Sequence, residues 1–250
     1  MRLSSRLALL PTVAALIFVI LTALLGKWQL NRAEQKKLAK INWEQGVHSK
    51  EISIQDLLQN GDCEYDGQMI RLLGEFDHAH TVYLDNRPYQ HQAGFYVVTP
   101  FIVSSDKNVA LLINRGWIPR NSINRESLPP FAKPVGPQEL SVRCLHKLSK
   151  VLELGISNSD TSTSITIVQN IDFEREESRL KIKLLKLFGL EQDDDKRLNE
   201  GLVQDFPVPD FGIEKHYGYA FQWFTLMLTI IIIYCYQVFF KKRNLSREHE

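Results

Sequence analysis

Residues 7–25 read LALLPTVAALIFVILTALL, nineteen positions without a charge. At about 1.5 Å per residue, a helix through them is roughly 28 Å long, which matches a bilayer core. Pro11 falls near the start, where a helix tolerates it. A second uncharged run, residues 220–240 (AFQWFTLMLTIIIIYCYQVFF), gives roughly 31 Å by the same arithmetic. These runs predict two membrane-spanning helices, residues 7–25 and 219–240, with everything else arranged around them. For the first run the alternative is a cleaved signal peptide, with Arg2 and Arg6 as its charged start. Nineteen apolar residues exceed the usual core of about 7–15, however, and no A-x-A-like cleavage site follows. For the second run the alternative is a buried core helix. Its length and the abrupt Lys241-Lys242-Arg243 stop disfavour that.

The whole chain of 250 residues has 30 Lys and Arg against 29 Asp and Glu. A general nucleic-acid binder running on a basic field is therefore excluded. With 44% hydrophobic residues, so is an acidic disordered chain. The flanks set the orientation. Residues 1–6 and 241–250 hold six Lys or Arg and two Glu, whereas residues 26–218 are slightly acidic. The positive-inside rule then puts both termini in the cytoplasm and residues 26–218 outside, as a periplasmic domain. Lys27, Arg32, Lys36, Lys37 and Lys40 argue the other way, although long segments cross largely regardless of charge.

Past the first span, Trp28, Leu30, Leu38, Ile41 and Trp43 alternate with charges, as in an amphipathic connector helix with an interfacial tryptophan. Short β-like runs follow at residues 68–76, 81–84, 94–103, 109–118, 139–145 and 164–170. Residues 104–108 (SSDKN) read as a hairpin loop, and the five prolines of residues 119–137 as an extended loop. Residues 146–163 read as a polar surface excursion. Residues 172–189 (DFEREESRLKIKLLKLFG) begin acidic and end basic before a glycine, which predicts one helix. Asp193-Asp194-Asp195 reads as a solvated loop. The fold class is thus α+β: two transmembrane helices flanking one extracytoplasmic domain with a mainly antiparallel sheet.

Chemical handles are sparse. Cys63, Cys144 and Cys235 show no C-x-x-C spacing, which disfavours a thiolate metal site or redox pair; whether Cys63 and Cys144 bond stays open. There is no G-x-S-x-G, H-E-x-x-H or phosphate-binding glycine loop. His78 and His80, with Asp77 and His91 nearby, allow a metal site or an ordinary polar turn. His48, His146 and His249 stand in featureless polar settings. His216 precedes the second span, and on a helix it shares a face with Tyr219, Ala220, Trp223 and Met227. An imidazole above an aromatic face suits a large apolar ring with a metal centre; an aromatic belt with a capping histidine is the alternative.

Five segments carry a resemblance. They are Leu25-Gly26-Lys27-Trp28-Gln29-Leu30-Asn31-Arg32; Gly74-Glu75-Phe76-Asp77-His78 with Tyr83 and Arg87; Gly94-Phe95-Tyr96-Val97-Val98-Thr99-Pro100-Phe101; Asn114-Arg115-Gly116-Trp117-Ile118-Pro119; and His216-Tyr217-Gly218-Tyr219-Ala220-Phe221-Gln222-Trp223-Phe224. In this order, framed by two spans, they resemble the surfeit locus protein 1 family of cytochrome c oxidase assembly factors. The resemblance implies two transmembrane helices and a domain facing the periplasm or intermembrane space. It implies a role around insertion of haem a into the catalytic subunit, with His216 as candidate iron ligand. The N-terminus, lacking an Arg/Ser-rich transit region, points to a multi-pass protein of a bacterial inner membrane.

On this reading Trp28 and Trp223 would flank the macrocycle, and Arg32 and Arg115 would pair its propionates. Both arginines also have a structural reading, Arg115 pairing with a domain carboxylate and Gly116 permitting a turn. The expected partners are the oxidase catalytic subunit, haem a synthase and the lipid bilayer, with no nucleic acid. An enzyme is not expected, since no nucleophile–base constellation is present. Copper delivery is disfavoured without a thiolate pair. The alternative function is a haem-free scaffold that stabilises an oxidase intermediate, with exposed aromatics such as Trp117 as its anchors.

Overall fold

A computed structural model describes residues 3–124, 127–148, 150–151, 166–192, 201–206 and 208–247. The chain forms two compact units, one made of Met1–Ile41 with Pro209–Glu250 and the other of Asn42–Val208.

The first unit holds two long helices, α1 (Leu3–His48, whose last turns count with the second unit) and the terminal helix (Ile213–Arg247). Both are long and apolar enough to cross a membrane, over Leu10–His48 and Ile213–Phe239. The helix expected to continue past the first span does so. Nothing in the sequence stops α1 at residue 25, so it continues through the charged connector to His48. The domain therefore starts as a compact body at Asn42 rather than residue 26, and the terminal helix starts before residue 219.

In the second unit the chain runs through β1 (Ile52–Ser53), α2 (Ile54–Asn60), β2 (Met69–Phe76), β3 (Val82–Leu84), β4 (Gly94–Val103) and β5 (Val109–Pro119). It continues through β6 (Gln138–Leu145), β7 (Thr166–Val168), α3 (Phe173–Leu180) and β8 (Lys183–Glu191); the terminal helix is α4. Strand β2 pairs antiparallel with both β6 and β4, β6 antiparallel with β8, β8 parallel with β5, and β5 antiparallel with β4. That circuit closes on itself as a five-stranded barrel. Strand β3 extends it from β4, β7 lies parallel to β3, and β1 lies parallel to β2.

Each barrel strand contributes inward side chains to one core: Ile70 and Leu72, Phe101 and Val103, Leu111 and Ile113, Leu140 and Val142, Leu185 and Leu187. Opposite-facing residues of β4, β5 and β8 (Val98, Ala110, Leu112, Leu184, Phe188) form a second core with β3, β7 and α3. Burial on both faces explains why β4 and β5 read as continuous apolar runs, whereas β2 alternates.

The same requirement corrects the expected helix at residues 172–189. Asp172 caps α3 through the Glu174 N–H, and Lys181 then adopts φ 58° and ends the helix. The following KLLKLFGLE is β8, placed between β5 and β6, where leucines are needed on both faces. Helix α2 and β1 carried too little pattern to be expected from sequence. Ser53 and Asp56 form a reciprocal capping box there, a signal that was present but short. The other expected strands lie within two residues of those observed. The triple aspartate and most of residues 146–163 fall outside the described residues.

Candidate functional site

In the helical unit, α1 and α4 pack along stripes that the helical period spaces by three and four residues. On α1 the stripe is Thr22, Gly26, Gln29 and Ala33, all buried; on α4 it includes His216, Ala220, Trp223 and Phe224. Small residues let the backbones approach. A Cβ at Gly26 would lie 2.8 Å from the Phe224 ring, so any larger residue there must push that ring aside. Thr12 Oγ1 and Tyr234 OH are 2.9 Å apart and hydrogen-bonded at the other end of the pair.

A second polar contact lies further along this apolar seam. Gln29, 9% exposed, accepts a hydrogen bond from His216 Nδ1 through Oε1 at 2.8 Å. An amide oxygen only accepts, so Nδ1 carries a proton, and in the neutral imidazole Nε2 is the nitrogen with the lone pair. This is how a ligating imidazole is prepared: the second nitrogen is fixed by a hydrogen bond that sets tautomer and ring orientation. Gln29 was missed as a functional residue. Its signal in the sequence was a lone amide on the same helical stripe as Gly26 and Ala33.

The other expected site residues are divided between the two units. Trp28 stands one position off the stripe and is 51% exposed; Arg32 lies over its ring at 5.8 Å and donates to Gln35 Oε1 at 2.9 Å. Trp223 is half-buried on the α4 stripe, whereas Tyr219 is exposed and does not share the packed face.

Arg115 belongs to the barrel unit. Val97 pairs with Gly116 and Val98 with Asn114, so Arg115 is the extra residue of a β-bulge. Gly116 takes φ 143°, and a Cβ there would press on the Val203 carbonyl at 2.9 Å. The Arg115 guanidinium reaches Glu191 at 3.3 Å with both side chains 0% exposed. It also donates to the Ala132 carbonyl at 3.0 Å and lies 4.4 Å above the Phe76 ring. Burial pulls its pKa below the usual arginine value, against the Glu191 charge. Trp117 is 5% exposed and donates its indole N–H to the Arg87 carbonyl at 2.6 Å, which corrects the expectation of an exposed anchor.

His78 and His80 lie on a 3₁₀ turn (His78–His80) that sends them to different partners. His78 Nε2 meets the Pro134 carbonyl at 2.8 Å and the ring stacks on Phe76; burial pulls its pKa down. His80 Nδ1 bonds Asp77 at 2.6 Å. Among the described residues, the group with metal-ligand spacing is instead Cys63, Cys144 and His146. Cys63 and Cys144 form a disulfide across 81 residues, which closes the question their spacing left open. Nothing local in the sequence brings them together; the pairing of β2 with β6 does. Burial works against charge on His146, but the Asp66 hydrogen bond and the Asp66 and Asp62 charges outweigh it and raise its pKa.

The profile of the SURF1 family matches residues 16–228 of this chain. A SURF1-like protein of Rickettsia bellii is 25% identical over 226 residues, covering 89% of this chain and 88% of that one. A SURF1-like protein of Rickettsia conorii is 23% identical over 237 residues, covering 92% of each. Surfeit locus protein 1 of Rattus norvegicus is 32% identical over 128 residues, covering 45% of this chain and 41% of the rat protein.

Proposed function

The chain belongs to the SURF1 family, and we propose that it is a membrane-anchored assembly factor for haem-copper cytochrome c oxidase that holds haem a as cargo on His216. The observation that carries this reading is the Gln29–His216 hydrogen bond, which occupies Nδ1 and makes Nε2 the nitrogen available to a metal beside the aromatic residues of α4. Nε2 of His216 would hold the haem through its iron, as cargo and with no catalysis. The protein's own part is to bind, orient and release. Gln29 fixes the imidazole, the seam of small residues fixes Gln29, and Trp28 and Trp223 offer ring surface to the macrocycle. Arg32 is exposed and within reach of solvent, so of the two arginines it is the one that could meet a propionate. Arg115 is committed to Glu191 and Ala132.

A single histidine donor without a C-x-x-C-H attachment motif suits transient holding. The setting is a bacterial inner membrane with both termini cytoplasmic, the barrel on the periplasmic side, and the oxidase catalytic subunit and haem a synthase as partners. The test is the absorption spectrum of the full-length protein, purified in detergent from cells that make haem a. Wild type should carry haem a. His216→Ala should lose it, and Gln29→Leu should retain ~10–100-fold less, as for outer-shell partners of ligating histidines. A colourless wild type from cells shown to contain haem a would sink the carrier reading. It would leave a haem-free scaffold for an oxidase intermediate.

A further inference from the structure

The barrel unit contains a second cluster of donors that haem holding does not use. Cys63, after α2, and Cys144, near the end of β6, are buried and bridged. His146 lies two residues beyond Cys144, with Nε2 3.9 Å from Cys63 Sγ. A structural disulfide needs no such neighbour.

The ring is held on its other side. Asp66 Oδ1 accepts from both the backbone N–H (2.8 Å) and the ring Nδ1–H (2.7 Å) of His146. That carboxylate–histidine pair is the usual outer support of a zinc-bound imidazole and turns Nε2 toward the sulfurs. Asp62 stands at the same nitrogen: its Oδ1 is 3.1 Å from Nε2 and accepts the Cys63 N–H at 2.9 Å.

We propose that Cys63, Cys144, His146 and Asp62 form a redox-gated zinc site, closed while the two sulfurs are bonded and open when they are reduced. The geometry fits. Zn–S bonds of about 2.3 Å and Zn–N bonds of about 2.0–2.1 Å at tetrahedral angles put sulfur and nitrogen ~3.5 Å apart and the sulfurs ~3.8 Å apart. The donor atoms of the two cysteines and His146 already lie within 4.8 Å of one another. Breaking the bond lets the sulfurs move apart to ~3.8 Å by side-chain rotation. Two thiolates, one imidazole and a carboxylate suit Zn²⁺ in composition; the hard carboxylate oxygen disfavours Cu⁺.

Opening the site requires a dithiol donor. Its thiolate attacks one sulfur, and the mixed disulfide resolves on the donor's second thiol. The donor leaves oxidised, and two electrons and two protons remain on Cys63 and Cys144. Zn²⁺ then displaces the two thiol protons and any proton on Nε2. Because His146 is partly exposed while the sulfurs are buried, the ion arrives past the imidazole.

The test uses the full-length protein in detergent, oxidised or reduced with a phosphine, stripped of metal and titrated with Zn²⁺ against a chromophoric chelator. The reduced protein should take up one equivalent and the oxidised protein none. Co²⁺ should give a thiolate-to-metal charge-transfer band only after reduction. His146→Gln and Asp66→Asn keep the disulfide, so both can be purified folded and then reduced; Asp66→Asn should weaken Zn²⁺ by ~10–100-fold and His146→Gln, which removes a ligand, by more. No uptake by the reduced wild type, or unchanged affinity in His146→Gln, would overturn the site.

Discussion

Replacing Glu191 with leucine should be among the most damaging single changes in the barrel. Arg115 and Glu191 are both wholly buried, 3.3 Å apart. Without Glu191 the guanidinium keeps its charge but retains the Ala132 carbonyl and the Phe76 and Phe131 rings. Stranding one member of a buried pair costs about 3–5 kcal/mol. For a unit of this size each kcal/mol shifts the midpoint by about 2–4 °C, so Glu191→Leu should lower it by roughly 6–20 °C. Arg115→Met in the same chain should restore much of the loss, because burying two apolar groups there costs less than burying one bare charge. The assay is thermal unfolding of wild type, both single variants and the double variant, followed by the β-sheet circular dichroism signal in detergent. A loss under about 1 kcal/mol for Glu191→Leu is the range of an exposed pair and would refute the argument. So would a double variant as unstable as the sum of the singles.

The seam between α1 and α4 should fail at Gly26: Gly26→Leu forces a side chain into Phe224 and should abolish cross-linking of Thr12→Cys to Tyr234→Cys by a short bis-maleimide in a Cys235→Ser background. Reducing the Cys63–Cys144 bond frees a loop of 81 residues, worth about 4–5 kcal/mol by the chain-entropy relation; the denaturant midpoint should fall, and added Zn²⁺ should recover part of it. The two partly buried histidines should act with opposite signs. His146 has a raised pKa, so its contribution is complete below the unfolded value of about 6.5 and fades as pH rises through the folded pKa; the stability gap between wild type and His146→Gln should shrink upward through that window. His78 has a lowered pKa, so the unfolded state binds more protons below about 6.5; wild type should lose stability as pH falls there, and His78→Gln should flatten that loss. Chemical denaturation from pH 5 to 8 reads both.

Much of the site follows from local pattern. His216 and Trp223 occupy one helical face because 3.6 residues complete a turn, and that face is recoverable from spacing alone. Gln29 is on the matching face of α1 by the same rule, yet nothing local says that the two stripes meet. Residues 172–189 show the opposite case. Their charge gradient describes the first half well, but leucines at both parities are as good for a buried strand as for a helix, and the neighbours β5 and β6 decide. Along the sequence Trp117 has no visible partner; only the pairing of β4 with β5 sets Gly94 against it, with the Arg87 carbonyl as the acceptor for its indole N–H.

The two apolar helices, the strand-rich segment between them and the family motifs are written along the chain, because hydrophobic length, period and turn residues are properties of neighbours in sequence. Barrel closure through β2 and β4, the inward Arg115 at its bulge, and the meeting of Cys63 with Cys144 and His146 depend on pairings between distant residues. Such pairings become favourable only once the strands are registered and the core excludes water, so no window of the sequence records them.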